Sequence, residues 1–527
     1  MIESAVELCY NIAKEVRSTV KNIYKPIISR TLIIVLLLLV QILAMVLVVL
    51  RFSDRFLWYS GLSNILALLT VFTILRGNAN PAYKLSWIVV ILVLPIFGLL
   101  CYLIFGNRKL GRAATKKMED LTARAARNYF RKNAVLPYLA AGDATGAAQS
   151  RYLENCAAYP LFRSTESRYL SSGEAYFAAL VEELSRARSF IFLEYFIIGE
   201  GYMWDTVLSI LREKAEAGLD VRLIYDDFGC LASLPHNFAR KISDSGIRTM
   251  VFNPVMPVLN SGLNNRDHRK ICVIDGNVGF TGGINLADEY INRKRRFGHW
   301  KDTGIMLRGD GVWGLTVMFL TMWSYLSGRI EPFEDFRPSI NCSEAEGFVQ
   351  PYADSPLDSE HVGEMAYMNM ICSAKRYIYI TTPYLVLDNE MRTALIGAAK
   401  RGVDVRIMTP GIPDKRYVFA VTRANYEPLV EAGIRIYEYA PGFLHAKSFV
   451  CDDRYAIVGT VNMDFRSFYL HFECATLLLH TKSVLDVRDD FLETRRQCRE
   501  ITKDRLKSQG LLKRLVQSFL SLFAPMM

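Results

Sequence analysis

The sequence predicts an α/β protein with apolar helices at its N-terminus and two related αβ halves after them. Three observations predict this class: long uncharged stretches near the N-terminus, alternating strands and helices after about residue 165, and one motif that occurs twice. The motif reads HRKICVID from His268 to Asp275 and HAKSFVCD from His445 to Asp452. Because a repeated motif marks a repeated structural unit, we interpret the second part of the chain as an internal duplication.

The composition fits a large protein with an anionic partner. The chain has 527 residues, enough for a membrane segment plus one large or two mid-sized domains. Lys and Arg number 63 against 53 Asp and Glu, an excess that does not separate nucleic acid from lipid headgroups. The ten cysteines form no CxxC pair and no cluster with histidine. The sequence therefore predicts neither a zinc site nor a disulfide framework, and favours a reduced, cytosol-facing protein.

Three uncharged stretches predict a membrane anchor of two or three helices. They run from Thr31 to Leu50, from Phe56 to Leu75, and from Leu85 to Asn107, the last with Pro95 and Gly98 inside it. A helix of about 20 apolar residues spans the hydrocarbon core. Basic residues precede the first stretch and follow the third, and the positive-inside rule places both groups in the cytoplasm, whereas three full crossings would separate them. The number of crossings and their orientation therefore stay open.

From about residue 165 one order of elements occurs twice. The first half reads SFIFLEYFI, a helix near Trp204 to Ala217, GLDVRLIYD, SGIRTMVF and then the first motif. The second reads YIYITTPYL, a helix near Asn389 to Arg401, GVDVRIMTP, AGIRIYEY and then the second motif. Strands that alternate with helices predict a mostly parallel sheet with helices on its faces. We therefore divide the chain into an anchor (1–110), a linker (111–165), a first half (166–340), a second half (341–500) and a C-terminal amphipathic segment (501–527).

The histidine and lysine of each motif predict an anion site. His268 and Lys270 lie two positions apart in a predicted strand and so share one face, and the same holds for His445 and Lys447. If the two halves face each other, two imidazoles and two ammonium groups meet in one pocket, which suits a phosphate. A neutral imidazole can attack phosphorus while a protonated one gives a proton to the leaving oxygen, so the chemistry requires no metal.

Other polar residues accompany the motifs. TGGIN and VGTVN place Asn285 and Asn462 after them, and an amide can donate to a phosphate oxygen. Asp275 and Asp452 lie an odd number of residues from their histidines, so we expect them to point off the pocket face and to brace the strand. The remaining histidines have no such neighbours, and we assign them to packing or to the surface: His236, His299, His361, His471 and His480.

These motifs resemble those of the phospholipase D superfamily with two HKD motifs, and most closely those of the bacterial cardiolipin synthases. The resemblance covers nearly the whole chain. PIFGLLCYLIFGNRKLG is similar to the family's last membrane segment, and NNRDHRKICVIDGNVGFTGGIN and FLHAKSFVCDDRYAIVGTVNMDFRSFYLHFECA are similar to its two active-site halves. It implies transmembrane helices followed by two phospholipase D-like αβ halves, related by pseudo-twofold symmetry, with a shared active site between them.

The resemblance also implies roles for the site residues. His268 would be the nucleophile, and His445 the general acid and later the base that activates the acceptor alcohol. Two acids are candidates for orienting the imidazoles through a hydrogen bond to the far ring nitrogen. Asp302 follows the first motif and Glu473 follows the second. The catalytic motif itself also includes Asp275 and Asp452, and the phosphate would be held by Lys270, Lys447, Asn285 and Asn462.

The implied reaction transfers a phosphatidyl group from one phosphatidylglycerol to the hydroxyl of another, which gives cardiolipin and glycerol without a cofactor or metal. The implied partners are phosphatidylglycerol and anionic membrane lipid, with no nucleic acid. The implied location is the cell membrane, as a multi-pass protein with its catalytic domain in the cytoplasm. A phospholipase D, or a phosphatidyltransferase that uses another alcohol, stays open. The apolar stretches argue against a nuclease, and the intact histidine–lysine pairs argue against an inactive membrane scaffold.

Two further segments have properties suited to lipid. NRKRRFGHW, from Asn292 to Trp300, mixes four basic residues with aromatic ones and is either a headgroup-binding loop or an exposed basic loop. LLKRLVQSFLSLFAPMM, from Leu511 to Met527, is amphipathic and is either an interfacial helix or a helix packed on the catalytic domain. The motifs do not fix the acyl-chain preference or the oligomeric state.

Overall fold

The computed structural model describes residues 36, 39–40, 42–44, 46–47, 56–106, 111–130, 135–235, 237–256, 261–340, 342–508 and 510–526. The first predicted apolar stretch, Thr31 to Leu50, lies largely outside the described residues, as does His236. Residues 56–106 of the N-terminal part contain α1 (Phe56–Arg76), α2 (Pro81–Val93) and α3 (Pro95–Phe105).

The third predicted apolar stretch is two short helices, which differs from the single span expected. Pro95 is the first residue of α3, and because proline has no backbone N–H it cannot continue the hydrogen bonding of α2. The helices then pack closely, since a Cβ on Gly98 would lie 2.6 Å from the carbonyl oxygen of Val90. In the described residues, none of the helices combines the length and hydropathy that a membrane crossing needs.

The segment predicted as a linker is folded and packed. It contains α4 (Arg112–Tyr129), α5 (Val135–Gly142) and α6 (Ala144–Cys156), which contribute to the main core. Asp143 caps α6 by accepting a hydrogen bond from the backbone N–H of Gly146 at 3.0 Å. The same carboxylate accepts from Tyr455 Oη at 2.6 Å and lies 2.7 Å from His480 Nε2, so this segment is attached to the second half.

The two halves have closely similar lists of elements. The first half contains β1 (Thr165–Leu170), α7 (Gly173–Ser185), β2 (Phe190–Tyr195), α8 (Tyr202–Glu216), β3 (Asp220–Asp226), α9 (Asp227–Cys230), α10 (Phe238–Ser243), β4 (Arg248–Phe252), β5 (Arg266–Asp267), β6 (Lys270–Ile274), β7 (Val278–Gly282), β8 (His299–Lys301), β9 (Gly304–Gly309) and α11 (Val312–Ser327).

The rest of the chain, which is the second half followed by the C-terminal segment, begins with β10. It contains β10 (Phe348–Asp354), α12 (Val362–Ser373), β11 (Tyr377–Thr381), α13 (Asn389–Lys400), β12 (Asp404–Pro410), α14 (Arg416–Ala424), α15 (Tyr426–Glu431), β13 (Arg435–Tyr439), β14 (Gly442–Leu444), β15 (Ser448–Cys451), β16 (Tyr455–Gly459), α16 (Phe465–Tyr469), β17 (His471–Leu479), α17 (Lys482–Arg495), β18 (Cys498–Glu500), α18 (Lys503–Lys507) and α19 (Leu511–Leu522).

The two sheets have the same strand order, which confirms the two-halved α/β fold. The first sheet runs β1-β9-β7-β6-β2-β3-β4, and the second runs β10-β17-β16-β15-β11-β12-β13 with β18 added at the edge. The prediction of mostly parallel sheets is wrong, because along the two strand orders just given β2-β3-β4 and β11-β12-β13 pair in parallel and the other neighbours pair antiparallel. The motif strands instead form short hairpins with the strands that follow them, and a hairpin makes its strands antiparallel.

One buried helix joins the halves. Every residue of α11 from Val312 to Ser324 is buried, and the helix packs against β2, β4 and β6 of the first sheet and β10 of the second. A helix with apolar side chains on every face is stable in water only when all its faces are buried, and here the two halves bury it. The main hydrophobic core is therefore continuous across the pseudo-twofold interface.

Two short strand pairings cross the interface symmetrically. β5 pairs in parallel with the start of β17, and β8 pairs in parallel with β14. The ladders continue by one bond each: the N–H of His268 donates to the carbonyl of Phe472 at 2.9 Å, and that of His445 donates to Lys301 at 2.7 Å. Each motif histidine is therefore fixed to the backbone of the opposite half.

Candidate active site

Each motif ends in a tight hairpin turn that places its aspartate far from its histidine. Asp275 and Asp452 have positive φ angles of 53° and 56°, a conformation that aspartate tolerates in turns. The Asp275 carboxylate accepts hydrogen bonds from the backbone N–H groups of residues 188, 189 and 190 at 2.7–2.9 Å. The Asp452 carboxylate does the same for residues 375, 376 and 377. Both acids thus hold the turn of the motif hairpin to the start of the neighbouring strand.

The motif histidines meet a carboxylate from the opposite half. His268 Nδ1 lies 3.0 Å from both Oε1 and Oε2 of Glu473, and His445 Nδ1 lies 2.6 Å from Oδ2 of Asp302. All four side chains are buried. Because an ionised carboxylate can only accept, each imidazole donates from Nδ1 and leaves the lone pair of Nε2 available.

The cross-half strand pairings account for this exchange of partners. Glu473 follows directly on the two residues of β17 that pair with β5, immediately before His268. Asp302 follows directly on β8, whose partner β14 ends immediately before His445. The structure therefore brings together all four residues, with each predicted acid orienting the histidine of the other half.

The two motif lysines bring two ammonium groups to the site. Lys270 and Lys447 are buried, and each ammonium donates to the carbonyl of the histidine two residues earlier. Burial lowers the pKa of Lys270 to about 8 and that of Lys447 to about 7, although Glu473 and Asp302 favour the charged forms. Burial thus disfavours the charged form of each lysine, and a bound anion would stabilise that form.

Burial lowers the pKa of both motif histidines. Burial and the charges of Lys270 and Lys447 hold the pKa of His268 well below its ordinary value. Burial and Lys447 lower the pKa of His445 to about 4, but here Asp302 opposes the shift. The pKa of Asp302 is itself lowered, because the attraction of His445 and Lys447 outweighs its burial. Both histidines thus favour the neutral form in the protein alone, and His445 has in Asp302 a partner that favours its charged form.

The two asparagines differ in their hydrogen bonding. Asn285 Oδ1 accepts from the N–H of Ile197 at 2.9 Å, and Asn285 Nδ2 donates to Tyr290 Oη at 2.7 Å. Asn462 is also buried, and its Oδ1 has no hydrogen-bond partner among the described residues. Asn285 thus holds the backbone after β2 and the ring of Tyr290, whereas Asn462 retains an acceptor for a ligand donor.

His471 and Thr460 also lie at the site, whereas the prediction for His471 was packing or the surface and Thr460, in VGTVN, had no assigned role. The ring of His471 is buried with its centroid 5.5 Å from that of His268, and its Nδ1 lies 3.7 Å from Glu473 Oε1. Thr460 Oγ1 donates to Glu473 Oε2. The alternation along β17 puts His471 and Glu473 on one face, and that signal was readable from the sequence.

Aromatic rings surround both imidazoles. Phe196 lies edge-on to His268 with ring centroids 5.0 Å apart. Tyr290, Trp300 and Phe443 lie 5.4–5.7 Å from the ring of His445. These rings come from both halves, and they line the site with surface that excludes water.

The basic loop from Asn292 to Trp300 adjoins this aromatic wall. Arg293 stacks on Tyr202 with its guanidinium carbon 3.5 Å from the ring centroid. Arg296 lies 3.3 Å from a carboxylate oxygen of Glu289. The loop reaches the wall through Trp300, and its binding of lipid headgroups stays a prediction.

One group of three side chains in the described part of the chain has the spacing of metal ligands. The candidate ligand atoms of His268, His471 and Glu473 lie within 4.8 Å of one another. Two of the three are already the imidazole and carboxylate described above, and the nearby ammonium groups oppose a divalent cation. We therefore interpret the cluster as a means of holding Glu473.

Two family models match the chain. Residues 180–296 and 367–495 match the model described as cardiolipin synthase, PLD-like domain, which covers both motif halves. Residues 65–107 match the model described as phospholipase D-nuclease N-terminal.

Curated relatives and one solved structure match over most of the chain. An uncharacterized protein of Streptococcus mutans is 43% identical over 87% of this chain and 99% of its own length. A cardiolipin synthase of Geobacillus sp. is 36% identical over 86% of this chain and 91% of its own length. The crystal structure of phosphatidylserine synthase from Haemophilus influenzae aligns with a TM-score of 0.54 at 16% identity, over 72% of this chain and 97% of that one, a likeness of fold.

Proposed function

The chain belongs to the cardiolipin synthase family of the phospholipase D superfamily, a family of phosphatidyltransferases, and from this premise we propose a specific reaction for it. The enzyme transfers a phosphatidyl group from one phosphatidylglycerol to the terminal hydroxyl of a second, and releases glycerol. The observation that carries the proposal is the pair of buried imidazoles, each oriented by a carboxylate of the opposite half beside two buried ammonium groups.

In the first step, His268 Nε2 attacks the phosphorus of the donor lipid. The P–O bond to glycerol breaks, a P–N bond to His268 forms, and His445 gives its proton to the departing glycerol oxygen. The lowered pKa of His268 fits the role of nucleophile, because a nucleophile must be neutral at the working pH. Glu473 accepts from Nδ1 and so keeps Nε2 directed at the phosphorus.

His445 must carry a proton before it can act as an acid. We expect the bound donor lipid to raise the pKa of His445 so that the imidazole is protonated. Burial and the lysine charge lower the pKa of His445 to about 4 in the protein alone. A phosphodiester anion beside Lys270 and Lys447 cancels part of that charge and raises the proton affinity of His445. Binding of the donor lipid thus favours the protonated form of His445, which is the general acid of the first step.

In the second step, a hydroxyl of the second phosphatidylglycerol replaces glycerol. His445, now neutral, takes the hydroxyl proton, the oxygen attacks phosphorus, and the P–N bond to His268 breaks. Water is the competitor, and the aromatic rings around His445 support its exclusion. Lys270 and Lys447 hold the phosphate oxygens, and Asn462 Oδ1 is the acceptor that we assign to the second, non-reacting hydroxyl of the incoming glycerol headgroup.

We further propose that residues 1–110 anchor the chain in the cell membrane, as expected from their apolar stretches, with the catalytic halves in the cytoplasm. The match of residues 65–107 to an N-terminal domain of phospholipase D proteins supports this arrangement. The folded segment at 111–165 then connects the anchor to the second half rather than serving as a flexible spacer.

A product assay tests the reaction. Purified full-length protein is incubated with phosphatidylglycerol vesicles, a chelator and no nucleotide, and the products are separated. We expect cardiolipin and glycerol in equal amounts, with the activity lost in His268→Ala and kept in the control His299→Gln, whose side chain is exposed and contacts Tyr439. Phosphatidic acid as the main product would mean that water is the acceptor, and a product formed only with another added alcohol would identify a different transferase.

A further inference from the structure

The C-terminal helix α19 has an exposed apolar face. Leu511, Leu512, Leu515, Val516 and Phe519 are 48–76% exposed, and their positions recur every three to four residues. The helix has no acidic residue in LLKRLVQSFLSL, and Lys513 on it is exposed. This combination is that of a helix lying on an anionic lipid surface.

The opposite face of α19 is fixed to the catalytic part. The helix packs against α14, and Gln517 on that side is buried. Arg514 donates to the carbonyl of Leu506 at 3.1 Å and lies 3.5 Å from a carboxylate oxygen of Glu427. The apolar face therefore points outward in a defined orientation relative to the second half.

The same helix also touches the N-terminal apolar helices. Ser86 Oγ of α2 donates to the carbonyl of Leu522 at 2.6 Å, and Met526 packs in the small core around Trp87. On α2 itself, Leu85, Leu92 and Val93 are 53–69% exposed. The exposed apolar faces of α2 and α19 thus belong to two helices that are in contact.

Both helices attach at the end of the second half that holds the active site. Asn80, the N-cap of α2, donates to Asp388 at 3.2 Å and to Tyr469 at 3.0 Å, where the chain has just left β11. α14 begins directly after Lys415, whose charge contributes to the lowered pKa of His268. The motif aspartates and their turns lie at the other end of the strands.

We propose that α19 and the exposed side of α2 form one surface that docks on the phospholipid bilayer and holds the active-site end of the second half against it. The occupant is a bilayer because the face is apolar, carries an exposed lysine and no acid, and continues onto a helix of the predicted anchor. The inference goes beyond the proposed reaction, since it concerns how the chain meets the membrane, and its first test requires no turnover.

Photo-crosslinking of the full chain tests the proposal directly. A benzophenone amino acid replaces Phe519, the protein is reconstituted in vesicles of radiolabelled phosphatidylglycerol and phosphatidylethanolamine, and adducts are separated after irradiation. We expect a lipid adduct at position 519 and none when the same amino acid replaces Arg188, which is exposed at the opposite end of the first sheet. A crosslink to a second copy of the chain, or no lipid adduct at all, would overturn the proposal.

A rate comparison gives a second test. The double variant Leu515→Glu/Phe519→Glu places charge on the exposed face, and the matched control Leu485→Glu does so on α17, where Leu485 is 38% exposed. We expect roughly tenfold or greater loss of activity on vesicles, with activity on detergent-dispersed phosphatidylglycerol unchanged. Equal activity of the double variant on vesicles contradicts the proposal. If the wild-type protein forms no cardiolipin, the proposed reaction fails while the crosslinking result still decides the docking surface.

Discussion

Asp302→Asn should impair the general acid and leave the nucleophile intact. Asp302 Oδ2 lies 2.6 Å from His445 Nδ1, and Asp302 Oδ1 accepts from the N–H of Thr303 at 2.8 Å. An asparagine has one oxygen for these two donors, so its NH₂ group must face either Thr303 or His445. The substitution therefore removes the charge and either breaks a buried hydrogen bond or turns His445 into the wrong tautomer.

The size of the effect follows from the lost hydrogen bond. A hydrogen bond to a charged group contributes about 1.5–3 kcal/mol, and each 1.36 kcal/mol is a factor of ten in rate, so we expect a loss of roughly 10- to 160-fold. Because the bond is short and both groups are buried, the result should lie near the upper end.

Two donor lipids distinguish the acid from the nucleophile in a rapid-mixing assay. Phosphatidylglycerol releases a poor leaving group that requires a proton, whereas a phosphatidyl ester of p-nitrophenol releases an acidic phenol that does not. Asp302→Asn should slow the first turnover with phosphatidylglycerol and leave the p-nitrophenol burst nearly unchanged. Glu473→Gln, the matched change at His268, should slow both.

Equal losses with the two donors in Asp302→Asn would refute this reasoning, because the carboxylate would then act on a step common to both. If the p-nitrophenol burst is unchanged in Glu473→Gln, His268 is not the nucleophile, and the roles that we assign to the two histidines would have to be exchanged. A circular dichroism spectrum and a thermal melt of each variant establish that it is folded.

Three further predictions concern the glycine turn, the motif aspartate and the lysines. In Gly283→Ala a Cβ would lie 2.1 Å from Asp302 Oδ1, so activity should fall at least as far as in Asp302→Asn, and full activity would contradict the geometry. Asp275→Asn should lower the free energy of unfolding in urea by at least about 2 kcal/mol, because three backbone donors lose a charged acceptor; unchanged stability with lost activity would point to a direct catalytic role. Since the pKa of Lys447 is lowered to about 7 and that of Lys270 to about 8, the lysines lose charge as pH rises through this range. Binding of sulfate, whose own charge does not change over this range, should therefore weaken from pH 6 to pH 9 when measured by calorimetry, and a constant affinity would contradict this expectation.

The local part of the fold was readable from the sequence. The strands after Ser189 and Tyr377 and the helix near Trp204 lie where their patterns place them. The odd spacing of Asp275 correctly placed its side chain away from His268. These features depend on periodicity within one segment, and short-range periodicity survives folding.

The features that cross between halves were not readable in the same way. Strand–helix alternation predicted parallel pairing, but the short connection after Ile274 makes a hairpin and hence antiparallel strands. The sequence placed Asp302 and Glu473 near the motifs, yet the exchange of partners depends on β5 and β8, which are too short to show a pattern. The contact of His471 with His268 joins segments far apart in sequence and could not be predicted, although the shared face of His471 and Glu473 on β17 could have been.

Because each imidazole pairs with a carboxylate of the opposite half, neither half alone contains a complete active site. Each half contributes one histidine and one acid. The acid of each half orients the histidine of the other half. A gene that encoded one half alone would have needed a second copy of its product to complete the site. Duplication and fusion would then have joined the two copies covalently. Afterwards the sequence of each half could change only where the active site shared with the other half was preserved. The two histidines could in this way acquire different proton affinities, which two identical subunits related by exact symmetry could not maintain.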